Sequence, residues 1–318
     1  MSQLFRDIQG SALCPQGSVV CIGAFDGLHR GHQALIGRAL ARARELGVPL
    51  VALSFEPLPR EFFAPTLPPP RLLLPRGKFE GLRDLGVDVV GLLRFDRALA
   101  SMPAADFIES VLLRRLSAKE IWVGPDFRFG KGREGDVAML RKIGNERGFS
   151  VCEIAPVLSD GERLSSSQLR LQLAAGDLDG AARILGHRYA IAGKVVRGKQ
   201  LGRTLGYPTA NIRLAGKRPA LMGIYATWVH GVGAEPIASV SSLGTRPTVS
   251  GLEPLLEAHL FDFDGDLYGK RIRVEFVAKL RDEEKFDGLP ALVAQMNRDA
   301  EQARKLLQHD HEDMGVSA

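Results

Sequence analysis

Residues 23–32 read GAFDGLHRGH, and this stretch decides the fold of the amino-terminal half of the chain. The preceding run VVCIGAF (19–25) is short, apolar and β-branched, which predicts a strand. Apolar residues then recur at helical spacing over 33–46, and Gly47 suits a left-handed helix end. The run VPLVALSF (48–55) is apolar almost throughout, as in a strand covered on both faces. The stretch therefore predicts a βαβ unit with a glycine-rich first turn.

The alternation of strand and helix patterns continues after this unit. A proline-rich segment, 56–75, is predicted to be a long functional loop without an element of its own. Further patterns predict strands over 86–95, 120–124 and 149–157, and helices over 104–116, 136–148 and 165–185. This order predicts an α/β domain with a doubly wound parallel sheet, Rossmann-like, that binds ligands at the carboxyl ends of its strands.

The pattern changes after Gly186. From 187 to 285 short alternating segments are separated by Gly, Pro and Asp turns, and Ile272, Val274 and Phe276 fall on one face of one such segment. This region predicts a small antiparallel β-barrel, followed by a terminal helix over 289–307. We therefore expect two domains, 1–186 and 187–318.

Composition bounds the class of protein. With 318 residues, 45% hydrophobic and 25% charged, the chain has enough apolar residues for a sizeable core. The start MSQLFRDIQG has no signal-peptide core, and no apolar run approaches the roughly 20 residues that span a bilayer, so we expect a cytoplasmic protein without a membrane partner. Three cysteines without a CxxC indicate small buried residues, not a disulfide framework or a thiolate metal site.

The charge leaves two classes of partner to weigh. A net charge of +5 fits a nucleic-acid binder, but the basic residues are spread along the chain and aromatic residues make up only 7%. An enzyme of phosphorylated small molecules explains the charge equally well. We predict small-molecule substrates and no nucleic acid, and the sequence does not fix the oligomeric state.

His29 and His32 stand where the first strand turns into a helix. A helix amino terminus offers free N–H groups and a positive dipole end, and Gly27 and Gly31 let an anion approach the backbone closely. Residues three apart share a helix face, so both imidazoles can point at one anion. A phosphate site is favoured, while a structural role and a metal site stay open; the metal site lacks an evident third ligand.

Two later segments are weaker signals individually. The stretch VGPDFRFGKGREGD (123–136) follows a predicted strand, and RLSSSQLR (163–170) places arginines and hydroxyls around a helix start. A helix cap and a solvated face would explain the second segment equally well. In a doubly wound sheet, however, these strand ends share one crevice with the histidines.

Over nearly its whole length the chain resembles the prokaryotic bifunctional riboflavin kinase/FAD synthetase family. In the first half the resemblance rests on GAFDGLHRGH, FEPLPREFF, GPDFRFGKGREGD, RLSSSQLR and AAGDLDGAARILG. It implies a nucleotidylyltransferase module that transfers AMP from ATP to FMN, with catalytic His29 and His32 binding the ATP phosphates. It further implies ATP or phosphate contacts at Gly23, Phe25, Asp26, Gly31, Asp126, Arg163, Ser166, Ser167 and Arg170. Ala24 and Leu58 depart from the usual Asn and His, but both histidines remain.

In the second half the resemblance rests on GKVVRGKQLGRTLGYPTANI (193–212). The stretch is not a Walker A loop, and its glycines alone would suggest turns and bulges. With PTAN it resembles the riboflavin kinase signature. The resemblance implies that Gly198 and Gly202 lie in a loop around the ATP phosphates and that Thr209 and Asn211 coordinate Mg²⁺.

The resemblance also points to Glu257, in LLEAHLFDFDGDLYGK (255–270), as the base that deprotonates the riboflavin 5′-hydroxyl. Without it, an exposed strand carboxylate would be the default interpretation. Asp262, Asp264 and Asp266 suggest a Ca²⁺ loop, but Arg271 stands where that loop needs glutamate, so a hairpin turn is predicted. SSLGTRPT (241–248) matches the family as well, with Ser242 in place of the usual Asn.

The predicted function is synthesis of FMN from riboflavin and of FAD from FMN, with Mg²⁺ and two ATP. One alternative is a nucleotidylyltransferase of another acceptor, whose barrel only binds ligand. Another is a basic nucleic-acid or flavin-sensing protein without catalysis.

Overall fold

The structure is a computed structural model that describes residues 2–159, 161–198, 202, 205–248 and 251–313. It divides into two compact units. The first comprises Met1–Pro69 and Pro75–Ser166, and the second comprises Pro70–Leu74 and Ser167–Ala318. Residues 199–201 and 203–204 of the predicted glycine-rich kinase loop lie outside the described part. Among the helices described, none is both long and apolar enough to cross a bilayer.

The first unit is built on a parallel sheet. Its elements are β1 (Gln3–Phe5), β2 (Ser18–Ile22), α1 (Arg30–Glu45), β3 (Leu50–Glu56), α2 (Pro59–Phe63), α3 (Pro75–Asp84), β4 (Val89–Arg94), α4 (Arg97–Ala100), α5 (Ala104–Phe107) continued by a π-helix (Ile108–Arg115), β5 (Ala118–Val123), a 3₁₀ turn (Lys131–Arg133), α6 (Val137–Arg147), β6 (Ser150–Glu153), β7 (Leu158–Ser159) and β8 (Glu162–Arg163). The six-stranded order is β1-β4-β3-β2-β5-β6, and every pair is parallel. The predicted doubly wound sheet is confirmed.

The direction of winding reverses beside β2. From β2 the chain proceeds to β3 and β4 on one side, whereas β5 and β6 lie on the other. All five residues of β2 are buried, as the apolar run predicts for a central strand. The loops after β2 and β5 therefore flank the switch point, where open α/β sheets bind ligands.

Three local predictions for this region are corrected. The proline-rich segment is not structureless, because Pro59–Phe63 forms α2, with Pro in its first turn and the Glu61 carboxylate accepting from Leu58 N at 3.0 Å. The helix predicted over 104–116 turns into a π-helix after Phe107. The helix predicted over 165–185 is two helices, broken at Gly176 (φ 77°), after which Asp177 caps the second.

The second unit is a closed antiparallel barrel with helices. Its elements are α7 (Ser166–Ala175), α8 (Leu178–Leu185), β9 (Ala190–Val196), β10 (Ala210–Arg213), β11 (Gly223–His230), β12 (Ile237–Thr248), β13 (Gly251–Leu260), β14 (Arg271–Arg281) and α9 (Leu289–Asp313). The strand order is β10-β13-β12-β11-β14-β9. Apolar residues of α9 pack with Trp228 and Phe261 of the barrel side. The predicted barrel with a terminal helix is confirmed, and the domain boundary predicted at residue 187 stays a prediction.

The three cysteines were predicted to be small buried residues that form no disulfide framework. Cys14 and Cys21 are buried, Cys152 is half-buried, and all three are free thiols. Burial raises the pKa of Cys21 to about 12, so this thiol stays protonated.

Candidate active sites

The first candidate site lies at the amino terminus of α1. His29 is the N-cap residue, and its side chain makes no capping hydrogen bond to this helix. By contrast, Asp136 and Asp177 accept backbone N–H groups at the starts of α6 and α8. The first turn of α1 thus differs from those of α6 and α8 in having no hydrogen bond from its own N-cap side chain, and a helix start of this kind can bind an anion.

Two stacked imidazoles stand over this helix start. The rings of His29 and His32 are 3.8 Å apart between centroids and inclined by 26°, and Phe25 packs edge-on against His32 at 5.3 Å. Burial, and then the Arg163 charge, lower the pKa of His29 to about 4. Burial, then His29 and Lys78, hold the pKa of His32 well below its usual range. Both imidazoles are therefore neutral at pH 7 and present N–H donors.

The two buried Nδ1 atoms have no hydrogen-bond partner among the residues that the structure describes. Buried polar atoms are normally paired, so these imidazoles are placed to meet a ligand. Within the same described part, no cluster of three His, Cys, Asp or Glu side chains could hold a metal. The geometry favours the phosphate interpretation of His29 and His32 over the metal one.

The structure brings part of the predicted second segment to the histidine turn. Ser166 Oγ donates to the Asp26 carbonyl at 2.7 Å, and Arg163 pairs with the Asp126 carboxylate. Gly23 N donates to Leu53 O at 3.1 Å, which ties the start of the turn to β3.

Ser167 and Arg170, from the same motif, belong to the second unit. There the Arg170 Nε donates to the Pro70 carbonyl at 2.7 Å. Their predicted phosphate contacts stay predictions.

Sequence reasoning missed two groups in the first unit. Lys78 of α3 is fully buried and donates to the Ala24 carbonyl at 2.8 Å. An aromatic cluster joins Phe62 and Phe63 of α2 to Phe95, which follows β4, with ring centroids 5.2–5.9 Å apart. Phe63 is nevertheless 68% exposed. The FF pair was a visible signal, whereas the approach of Lys78 to Ala24 was not, because 54 residues separate them.

The second candidate site is set by strand register in the barrel. Asn211 of β10 lies opposite Glu257 of β13, which in turn lies opposite Ser242 of β12. The alternation of β13 buries Leu256 and Ala258 and leaves Glu257 half-buried on the other face. Thr209 Oγ1 donates to Glu257 Oε1 at 3.4 Å. The predicted kinase base and metal ligands therefore lie together.

Two cavities meet at Thr209. The first, of ≈ 440 Å³, is lined by residues that include Arg197, Gly198, Asn211 and Tyr268, with Thr209. The second, of ≈ 300 Å³, is lined by Thr209 and Glu257. Its other walls include Gly202, Tyr207, Ser242, His259, Phe286 and Met296. The hydroxyl of Thr209 and the carboxylate of Glu257 thus stand where two ligands would meet.

Asn211 offers an oxygen to the first cavity. Its Oδ1 is buried and has no hydrogen-bond partner in the described part of the chain, while its Nδ2 donates to Thr209 O at 3.0 Å. A Cβ on Gly198 would lie 2.8 Å from this Oδ1, so a side chain there would displace the Asn211 amide. An uncommitted amide oxygen beside a hydroxyl is a donor set that suits Mg²⁺.

The acidic loop after β13 contains turns, but the predicted hairpin is wrong, because β13 and β14 are not neighbours in the barrel. Asp262 binds the Arg304 guanidinium at 2.6 Å, and Asp266 Oδ1 accepts from Tyr268 N at 2.8 Å. Asp264 and Asp266 line the first cavity. Ser242, which departs from the family's usual Asn, lines the second.

In the second cavity, aromatic and acidic groups adjoin Glu257. Tyr207 packs on His259 at 4.8 Å between ring centroids, and burial lowers the pKa of His259. Burial, and to a smaller extent the charge of Glu257, raise the pKa of Glu283. An apolar wall facing polar edges suits a flat heteroaromatic ligand.

Together, the fold and these two sites define a two-module phosphoryl- and nucleotidyl-transferring enzyme. The FAD synthetase family profile matches residues 12–168, and the riboflavin kinase profile matches residues 185–307. The chain is 43% identical over 304 residues to the bifunctional riboflavin kinase/FMN adenylyltransferase of Escherichia coli K12, covering 95% of this chain and 97% of that protein. It is 44% identical over 305 residues to the enzyme of the same description from Pseudomonas fluorescens, covering 96% and 97%.

The chain belongs to the bifunctional riboflavin kinase/FMN adenylyltransferase family. A solved structure described as a macrolide-efflux protein from Streptococcus pneumoniae is also similar, with a TM-score of 0.75 and 29% identity, covering 95% of this chain and 98% of that one. The predicted pair of activities is confirmed, which removes both alternatives, a transferase with another acceptor and a non-catalytic binder.

Proposed function

We propose that the chain makes FAD at two separate sites, the kinase site between the two barrel cavities and the adenylyltransferase site at the start of α1. The observation that carries the proposal is the meeting of both cavities at Thr209, with Glu257 within 3.4 Å of its hydroxyl. ATP occupies the first cavity and riboflavin the second. We also propose that the catalytic modules separate near residue 186, close to residue 185, where the riboflavin kinase match begins.

At the kinase site Glu257 accepts the proton of the ribityl 5′-hydroxyl. The hydroxyl oxygen attacks the γ-phosphorus of ATP, the bond to the β-phosphate oxygen breaks, and ADP leaves. A neutral hydroxyl gains roughly 10²–10⁴ in rate from such a base. Gly198 and Gly202 admit the phosphates, and Thr209 and Asn211 would hold Mg²⁺, which would neutralise phosphate charge. The unpaired Asn211 Oδ1 supports this assignment.

At the adenylyltransferase site the nucleophile is already an anion. An oxygen of the FMN phosphate attacks the α-phosphorus of ATP, the bond to the β-phosphate oxygen breaks, and pyrophosphate leaves. The neutral N–H donors of His29 and His32, the N–H groups at the start of α1 and Arg163 stabilise the charge that develops on pyrophosphate. Ser166 fixes the turn at Asp26, and Asp126 orients Arg163.

The exposed aromatic cluster supplies a surface for the flavin ring of FMN. It follows β3 and β4, and their carboxyl ends lie on the same sheet edge as that of β2, which carries the histidine turn. Phe63 is exposed although Phe62 and Phe95 pack against it, so its ring is free to stack on a flavin.

Hydrogen-exchange mass spectrometry tests these placements. FMN with α,β-methylene-ATP and Mg²⁺, which cannot transfer AMP, should slow amide exchange in residues 23–33 and in residues 205–212. Helix α6, which holds none of the proposed contacts, is the control. Protection confined to α6, or missing from either segment at saturating ligand, rejects the corresponding site. The exchange result does not bear on which two reactions the protein catalyses. It also does not bear on the cytoplasmic location that we propose from the sequence.

A further inference from the structure

The turn that carries the histidines has an unusual backbone. Phe25 and Leu28 adopt left-handed φ values of 45° and 48°, and Gly27 adopts 92°. For residues with a side chain this conformation is strained, and it persists only where surrounding contacts impose it. Something outside the turn must therefore hold it.

Helix α3 supplies one of these contacts through a buried lysine. The Lys78 side chain is 0% exposed, which is rare for lysine. Its Nζ donates to Ala24 O at 2.8 Å and to Ser54 Oγ at 3.2 Å. Ser54 Oγ in turn donates to the same Ala24 carbonyl at 2.9 Å. Two donors thus fix one carbonyl at the entry to the turn.

The same face of α3 receives the other end of the turn. Gly81 lies one helical turn after Lys78, and a Cβ added there would stand 2.4 Å from Leu28 Cδ1. Glycine is less favourable than alanine within a helix, so its presence is consistent with the space that Leu28 needs. Helix α3 therefore contacts Ala24 with one residue and Leu28 with the other.

We propose that Lys78 is a positioning residue for adenylyl transfer, which holds the Ala24 carbonyl and thereby the turn that aims His29 and His32. The inference rests on the phosphate role proposed above for the two histidines. It is compatible with Ala24 at a position where the family usually has Asn, because the contact uses the backbone carbonyl that every residue carries. The Lys78 cation contributes to keeping His32 neutral.

The test compares Lys78→Met and Ser54→Ala in the full chain with Lys142→Met, the same chemical change at an exposed site of α6. Misplacement of a catalytic group by about 1 Å costs about 100-fold, so kcat of FMN adenylylation should fall about 100-fold in Lys78→Met. Loss of one hydrogen bond should cost about fivefold in Ser54→Ala. The KM values for ATP and FMN should stay within threefold, riboflavin phosphorylation within twofold, and Lys142→Met should match the wild type.

Several results would overturn the inference. One is a folded Lys78→Met variant that adenylylates FMN at the normal rate. Another is a Lys78→Met variant whose KM for ATP or FMN rises while its kcat stays unchanged. If Lys78→Met does not fold, Ser54→Ala decides, and an unchanged kcat there refutes the role of the Ala24 carbonyl. The variant His29→Ala with His32→Ala runs in parallel. If that variant still makes FAD, the proposed site itself fails; if it is inactive while Lys78→Met is normal, only the inference fails.

Discussion

The two candidate sites differ in the chemical groups that their side chains provide. At the start of α1, two buried imidazoles are kept neutral beside the backbone N–H groups of a helix whose N-cap side chain makes no capping hydrogen bond. In the barrel, a half-buried carboxylate, Glu257, lies beside a hydroxyl and an amide oxygen. The difference follows from the nucleophiles, because the FMN phosphate is already charged whereas the riboflavin hydroxyl carries a proton. A base is therefore needed at one site, and charge stabilisation dominates at the other.

The largest expected effect separates the sites completely. Changing His29 and His32 together to Ala should lower FAD formation from FMN about 10³-fold or more, since each lost donor to developing charge costs about 100-fold. FMN formation from riboflavin should stay within twofold. Both rates can be measured on one preparation by liquid chromatography of the flavins. The exposed pair His187 and His309, changed to Ala, is the control, and equal loss of both activities would break the distinction between the sites.

The reciprocal variant is Glu257→Gln, which keeps the shape of the side chain and removes its ability to accept a proton. Riboflavin phosphorylation should fall about 10²-fold or more, with riboflavin and ATP affinities little changed and FAD formation from supplied FMN intact. Glu253→Gln, four residues earlier on the same face of β13, is the matched control. Near-normal turnover of Glu257→Gln together with a large loss in Asp264→Asn or Asp266→Asn would move the base to the turn.

The free energy of unfolding of the first unit should fall at acid pH, because His29 is held neutral in the folded chain. Its pKa is about 4 in the folded chain against 6.5 when unfolded, so between these values the unfolded chain binds a proton that the folded one does not. Stability of the first unit is then lost as pH falls, by about 2–3 kcal/mol from pH 7 to 4.5. Urea unfolding read at Trp122 in a Trp228→Phe background measures this. The pH dependence should be reduced in His29→Gln, and an equal dependence in both chains contradicts the assignment.

What the sequence predicts well is local. The histidine turn follows from glycines, an apolar strand run and a helical pattern within 25 residues, and the structure reproduces it. The alternation of apolar and polar residues likewise predicts the barrel strands, because in each strand every second side chain faces the core. Helix α2 was missed although Pro59 and Glu61 are start signals, since the proline-rich composition outweighed them.

What the sequence leaves open is the pairing of distant segments. Residue spacing in the sequence does not predict that Lys78 contacts Ala24 or that Asn211 lies opposite Glu257. Each of these contacts joins residues about 50 positions apart. The roles of Glu257, Thr209 and Asn211 came from the family resemblance, not from periodicity. The membership of Pro70–Leu74 in the second unit had no sequence signal either, since the segment is flanked on both sides by residues of the first.

That segment gives the smallest predicted effect and the sharpest test of the division into units. Leu72 is 2% exposed, its carbonyl accepts from Tyr189 OH at 3.0 Å, and Arg71 N donates to Arg218 O at 2.7 Å, all within the second unit. Leu72→Ala should therefore destabilise the kinase unit by about 2 kcal/mol, although the residue lies in the sequence of the adenylyltransferase half.

The measurement reads each unit separately through its own tryptophan. Unfolding followed at Trp228 in a Trp122→Phe background should shift by about 4–8 °C in Leu72→Ala, whereas the transition read at Trp122 should not move. Leu67→Ala, in the same proline-rich stretch but 71% exposed, should change neither transition. A shift at Trp122 alone would return the segment to the first unit. An isolated 187–318 fragment should be less stable than the second unit in the full chain, because it lacks helices α7 and α8 as well as Leu72.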